Sequence, residues 1–153
     1  MKKTPNRALF DSRVFSALIV PYIADNITKK WSIWSILDNF FDVCSITVES
    51  ARIKCWKSGG HGAETYLQVV ENSCNPGFVI MGQRLGVDTL YKYITEFGFG
   101  KKTGIDLNGE GSGILFKKEK IGPIELATMA FGQGISVTPI QQVTGVSAAI
   151  NGG

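Results

Sequence analysis

The chain has 153 residues, 44% of them hydrophobic and 19% charged, which fits one compact domain and excludes intrinsic disorder. A formal net charge of +3, from 16 Lys+Arg against 13 Asp+Glu, is too small and too scattered to form a nucleic-acid footprint. Three cysteines (Cys44, Cys55 and Cys74) contain no C-x-x-C pair and stand beside a lone His61, so spacing supplies neither a four-ligand zinc set nor a disulfide framework.

Glycine usage divides the chain near Ser50. All 18 glycines lie between Gly59 and Gly153, whereas at ordinary usage about three or four would fall in the first fifty residues. Residues 1–50 are instead rich in aromatics, with Trp31 and Trp34 read as core side chains. The apolar run around Ala17 to Tyr22 is far below the roughly 20 residues of a membrane span, so no anchor is expected there. Lys2 and Lys3 resemble the start of a signal peptide, but Pro21 interrupts the apolar stretch and no clean cleavage site follows.

From His61 onward the pattern reads as helices separated by glycine turns. Tyr66, Leu67, Val69 and Val70 predict a helix over Ala63 to Glu71, and Pro76–Gly77 breaks the chain before a second helix over Phe78 to Leu85. Gly86 ends that helix, Asp88 is an N-cap candidate, and Leu90, Tyr91, Ile94 and Phe97 form a third apolar stripe that stops at Gly98. Residues 98–123 read as loop with short strands, and Lys117 to Lys120 as a solvated charge cluster. Gly122-Pro123 opens a helix over Ile124 to Met129, closed by Phe131-Gly132-Gln133-Gly134. Thr138-Pro139-Ile140-Gln141 is a capping-box start for a final helix running to Ile150.

The chemistry-bearing unit is Ser73-Cys74-Asn75, in the break between the first two helices. A hydroxyl and a carboxamide one residue apart in a tight bend can face one cleft, the first passing a proton and the second holding a peptide group. The same tripeptide before Pro-Gly also fits an ordinary Asx or Ser turn. A rival enzymatic reading pairs Cys74 as a thiol nucleophile with His61 as its base, while Cys44 and Cys55 read as small buried apolar residues.

The surrounding text favours the serine–asparagine reading. Arg52 to Lys57, Gly59-Gly60-His61-Gly62, Val70 to Gly77, Phe97 to Leu107, Glu125-Leu-Ala, Ala130 to Gly134 and Val137 to Gln142 resemble, in order, class B penicillin-binding proteins, and most of all their stage V sporulation protein D branch. The resemblance covers residues 51–153, the middle of the transpeptidase domain, and leaves 1–50 as a poorly matching segment. It implies an α+β fold of the penicillin-binding, serine β-lactamase-like type, of which this chain holds mostly the helical part. It also implies a peptidoglycan D,D-transpeptidase, in which a serine attacks the D-Ala-D-Ala stem peptide and a neighbouring stem amine takes the acyl group. By the same resemblance Ser73 is the proton relay and Asn75 the ligand of the substrate amide. The implied partners are peptidoglycan stem peptides and β-lactams, with no nucleic acid and no metal or organic cofactor, at the outer face of a bacterial membrane.

Two family motifs do not fit. No serine has Lys three positions on, so S-x-x-K, which sets a nucleophile and its base one helical turn apart, is absent. Ser16 is best placed, but Ile19 stands where the base belongs, and roughly residues 10–46, between flanking matches, read as a frame-shifted or otherwise divergent stretch. Lys102-Thr103-Gly104 spells the K-T-G motif but follows a glycine-capped helix, Lys57-Ser58-Gly59 precedes the S-x-N, and the chain reaches Gly153 before the expected motif strand. The expectation is a transpeptidase segment inactive alone. The non-catalytic alternative is a degenerate helical module that binds a cell-wall protein through exposed apolar surface.

Overall fold

A computed structural model describes residues 40–151. The elements, in order, are β1 (Phe40–Asp42), β2 (Ser45–Val48), β3 (Ala51–Lys54), β4 (Gly62–Glu64), α1 (Tyr66–Glu71), α2 (Asn75–Glu96), α3 (Pro123–Ala130) and α4 (Pro139–Asn151), with one 3-10 turn at Lys118–Lys120. Expectations for Ser16, Ile19, Trp31 and Trp34 lie outside the described residues.

The strands form two small antiparallel sheets, β1 with β4 and β2 with β3. Pairing of Val48 with Ala51 leaves Glu49 and Ser50 as a two-residue turn, so the position where glycine usage changes lies inside a hairpin. In the other sheet Phe40 faces Glu64 and Asp42 faces Gly62, which joins residues from both sides of that position. The first predicted helix is shorter than its apolar pattern suggests, because Gly62–Glu64 is taken up by pairing with β1. Thr65 then caps α1: its hydroxyl accepts from the Gln68 N–H at 3.3 Å, and Gln68 Oε1 accepts from the Thr65 N–H at 2.8 Å.

Pro76 opens α2 instead of breaking the chain, since a first-turn residue has no helical acceptor for the N–H that proline lacks. Gly86 ends the first half of α2 with φ 75° and ψ 166°, a conformation open to glycine, and the helix resumes at an angle beyond it. The third predicted stripe is the second half of this element, with Leu90 and Ile94 fully buried and Gly98 at φ 81° just past its end. One core cluster gathers Val69, Cys74, Phe78 and Met81 where α1 meets α2. A second gathers Leu90, Ile94, Phe99, Leu126 and Met129, and Val48, Val79 and Ala127 join the hairpin to α2 and α3. Burial at roughly 25 cal/mol per Å² of apolar surface makes these clusters the main stabilising contribution.

Between α2 and α3 the backbone forms the 3-10 turn and one isolated bridge, Ile114 to Ser136. Gln141 organises this region. It completes the capping box with Thr138 at 2.9 and 3.3 Å, and its buried Nε2 donates to the carbonyls of Lys101 and Ser112.

Candidate functional site

Ser73 and Asn75 both lie in the bend between α1 and α2, each half-buried. The bend is closed by N–H donation from Asn72 to Gln68 O at 2.8 Å, from Ser73 to Val70 O at 3.1 Å and from Cys74 to Val69 O at 3.0 Å. Ser73 has φ 50°, a left-handed conformation uncommon for serine, and its hydroxyl has no hydrogen-bond partner among the described residues. Asn75 begins α2, and its Nδ2 donates to Lys54 O at 3.0 Å, fastening the bend to β3. Trp56 Nε1 donates to Asn72 O at 2.8 Å, and Asn72 Nδ2 to Glu64 Oε1 at 2.7 Å. A cavity of about 730 Å³ lies elsewhere, beside Phe97, Thr103 and Gln141, and neither Ser73 nor Asn75 lines it.

Directly under the bend is a buried polar cluster. One potential ligand atom each from Asp42, Cys55, His61 and Cys74 lies within 4.8 Å of every other. His61 Nδ1 is 3.0 Å from Asp42 Oδ2 and 3.3 Å from Cys55 Sγ. Asp42 is held from two further directions, its Oδ1 accepting the Cys44 N–H at 2.8 Å and its Oδ2 the His61 N–H at 2.9 Å. Gly60 permits this closure: at φ 76°, a Cβ on it would stand 2.4 Å from Asp42 O. His61 Nε2 has no hydrogen-bond partner among the described residues, and the ring lies edge-on to Trp56 at 5.3 Å between centroids.

Burial would raise the Asp42 carboxyl, but hydrogen bonds from Cys55, the His61 and Cys44 N–H groups and the His61 ring outweigh it and hold the group below its ordinary value. Cys55 moves the opposite way, pushed up by burial, with Asp42 adding to the effect. Burial pushes Cys74 up much further, and the nearby Glu64 and Asp42 carboxylates reinforce this against the opposing Gly77 N–H. Cys74 is fully buried and out of a substrate's reach, which counts against the Cys74–His61 hydrolase reading. Cys55 is buried as expected, though among polar groups, whereas Cys44 is only partly buried.

Asp42, from the end of β1, brings a carboxylate up to Cys55, His61 and Cys74, a grouping that the reading of cysteine and histidine spacing did not include. Counting Cys and His spacings could not reveal a carboxylate brought in by strand pairing from 19 residues before His61. Lys102-Thr103-Gly104 is engaged locally, because Glu110 accepts from the Thr103 N–H and hydroxyl and from the Gly104 N–H.

Comparison with known proteins places this geometry. Residues 37–153 match the model of the penicillin binding protein transpeptidase domain. Stage V sporulation protein D of Bacillus subtilis (strain 168) is 66% identical over 116 residues, covering 76% of this chain and 18% of that protein. The peptidoglycan D,D-transpeptidase MrdA of Acinetobacter baumannii is 30% identical over 114 residues, covering 69% of this chain and 17% of its own length. The chain thus spans less than a fifth of the length of these curated relatives. In three dimensions it is similar to the apo transpeptidase domain of penicillin-binding protein 3 from Burkholderia pseudomallei, with a TM-score of 0.74 at 20% identity over 87% of this chain and 39% of that one.

Proposed function

Because the chain belongs to the penicillin-binding protein transpeptidase family, carrying part of its α+β domain, we propose that it serves a serine D,D-transpeptidase of peptidoglycan assembly, with Ser73 and Asn75 as the S-x-N element. In that chemistry a serine elsewhere in the site attacks the stem-peptide carbonyl, expels the terminal D-alanine and is then relieved of its acyl group by a neighbouring amine. Each step moves a proton on or off the serine oxygen or the amine. The Ser73 hydroxyl, without a hydrogen-bond partner among the described residues, suits a relay for that proton. Asn75 spends one N–H on Lys54 O, and its Oδ1 and second N–H are suited to holding the substrate amide.

The single observation that carries this reading is the family match across residues 37–153, inside which Ser73-Cys74-Asn75 sits in a helix-to-helix bend. By the same reading the partners are stem peptides and β-lactams, at the outer face of a bacterial membrane. No helix among the described residues is long and apolar enough to cross one.

The test is acylation by a fluorescent penicillin, using a full-length protein that carries this segment together with an S-x-x-K serine. Ser73→Ala and Asn75→Ala should each slow acylation by about 10²–10⁴-fold, the usual weight of a positioned proton-transfer group. Rates within about twofold of the parent would overturn the assignment. The 153-residue chain by itself, lacking S-x-x-K, should give no label that survives denaturation.

A further inference from the structure

We propose that Asn108 is a site of spontaneous covalent modification, deamidating through a cyclic imide with Gly109 and so releasing the hold of Glu110 on Thr103 and Gly104. Asn108 and Gly109 form an exposed turn in the stretch between α2 and α3. Ring closure brings the Gly109 backbone nitrogen onto the side-chain carbonyl carbon of Asn108. It is favoured by a following residue without a Cβ, by a backbone N–H not committed to a hydrogen bond, and by a carboxamide free to rotate. This turn meets every condition. Among the described residues neither the Asn108 carboxamide nor the Gly109 N–H has a hydrogen-bond partner, and Gly109, at φ 80°, faces open space.

The asparagines of the α1–α2 bend lack these conditions. Asn72 donates from Nδ2 to Glu64 Oε1 at 2.7 Å, and the N–H that would have to attack it, on Ser73, donates to Val70 O at 3.1 Å. Asn75 precedes Pro76, whose nitrogen carries no hydrogen. The chain's other Asn-Gly pair, Asn151-Gly152, starts on the last residue of α4. At Asn108 the reaction needs water and no other reagent. The Gly109 nitrogen loses its proton and bonds to Asn108 Cγ, the Cγ–Nδ2 bond breaks, and Nδ2 leaves as ammonia. Water then opens the imide at one of its two carbonyls. Opening at Cγ leaves aspartate in an ordinary backbone, and opening at the main-chain carbonyl leaves isoaspartate, whose main chain runs through Cβ and Cγ.

Placement gives the modification its effect. Glu110 follows Gly109 directly, and its Oε1 accepts the Thr103 hydroxyl at 2.7 Å while its Oε2 accepts the Gly104 N–H at 3.1 Å. An extra backbone carbon at position 108 shifts Glu110 relative to both partners, and hydrogen bonds weaken steeply once distance and angle are lost. Either product also places a new carboxylate between Asp106 and Glu110 in the chain, which opposes the compact loop by like-charge repulsion. Thr103 lines the cavity beside Phe97 and Gln141, so the change acts on one wall of that cavity.

The test incubates the intact 153-residue chain in mildly alkaline buffer made with heavy-oxygen water and follows its tryptic peptides by mass spectrometry. The peptide Thr103–Lys117 holds Asn108 apart from every other asparagine, and it should convert to chromatographically separable aspartate and isoaspartate forms, each carrying one labelled oxygen. Asn72, in the peptide Ser58–Arg84, should stay intact over the same period. Asn108→Gln, which would have to close a larger ring, should abolish the conversion, and Gly109→Ala should slow it by roughly tenfold or more. In the isoaspartyl chain the Thr103 and Gly104 amide resonances should move to the positions they take in Glu110→Gln. A Thr103–Lys117 peptide that remains unchanged, conversion of Asn72 as fast as that of Asn108, or an isoaspartyl chain whose Thr103 and Gly104 resonances match the parent would overturn the proposal. Should Gly109→Ala fail to fold, Asn108→Gln and the labelling pattern of the parent chain decide by themselves.

Discussion

Glu110 shows how a single exposed side chain can organise a loop. Hydrogen bonds from the Thr103 hydroxyl, then from the Thr103 and Gly104 N–H groups, favour its charged form, and Lys102 assists, so its carboxyl titrates below the usual glutamate value. A carboxyl lowered in the fold stabilises it fully above the ordinary glutamate range and loses that effect as pH falls through the depressed folded value. We therefore expect the Thr103 and Gly104 amide resonances to shift with a midpoint below that of an unconstrained glutamate, and Thr103→Ala to move the midpoint upward. A midpoint at or above the ordinary glutamate value would show that the carboxylate is not held this way. At this scale the sequence was partly legible. Ser73 and Asn75 stood out because a short motif named them and its flanking blocks agreed. Asp42 did not, because one aspartate near two phenylalanines carries no mark until β1 pairs with β4 and delivers it to His61.

Among the elements, the crossing of α2 and α3 depends on the absence of one methyl group. A Cβ at Gly82 would stand 2.3 Å from Ala130 Cβ, closer than two carbons can approach, so Gly82→Ala must push the helices apart. Overpacking of this kind costs typically about 1–3 kcal/mol, which denaturant unfolding would measure. Combining Gly82→Ala with Ala130→Gly should recover part of the loss, and strictly additive costs would exclude the contact as the cause. Helix starts were legible at Gly122-Pro123 and Thr138-Pro139, each chemically suited to the first turn it occupies, whereas the Thr65 cap was passed over and Pro76 was read as a break although it opens α2. Ala63 and Glu64 were misread as helix: an apolar pattern cannot tell a helical turn from residues claimed by pairing with Phe41 and Phe40 in an earlier strand. The stretch 98–123, read as loop with short strands, is loop with one 3-10 turn and a single bridge residue at Ile114, since glycine and charge there leave no continuous apolar face.

Across the whole molecule, the α+β class was carried by the family resemblance more than by periodicity, since strands of three or four residues are too short to show a clear alternation. The family match begins at residue 37, and β1 and β2 pair with later strands, so residues 40–48 are built into the same body as the S-x-N bend. Long-range ties of this kind are invisible to local reading, and Gln141 supplies another. Its carboxamide reaches 40 residues back to Lys101 and 29 back to Ser112 while its oxygen caps its own helix. Gln141→Leu should leave those two carbonyls and the Thr138 N–H without their partner, at about 1–3 kcal/mol for each group left buried. A variant matching the wild type in unfolding midpoint would refute that role. One carboxamide stitches the long irregular stretch to the terminal helix, so amide exchange should see residues 101–112 and the opening turn of α4 open and close together, as a single foldon that loosens without disturbing Ser73 and Asn75.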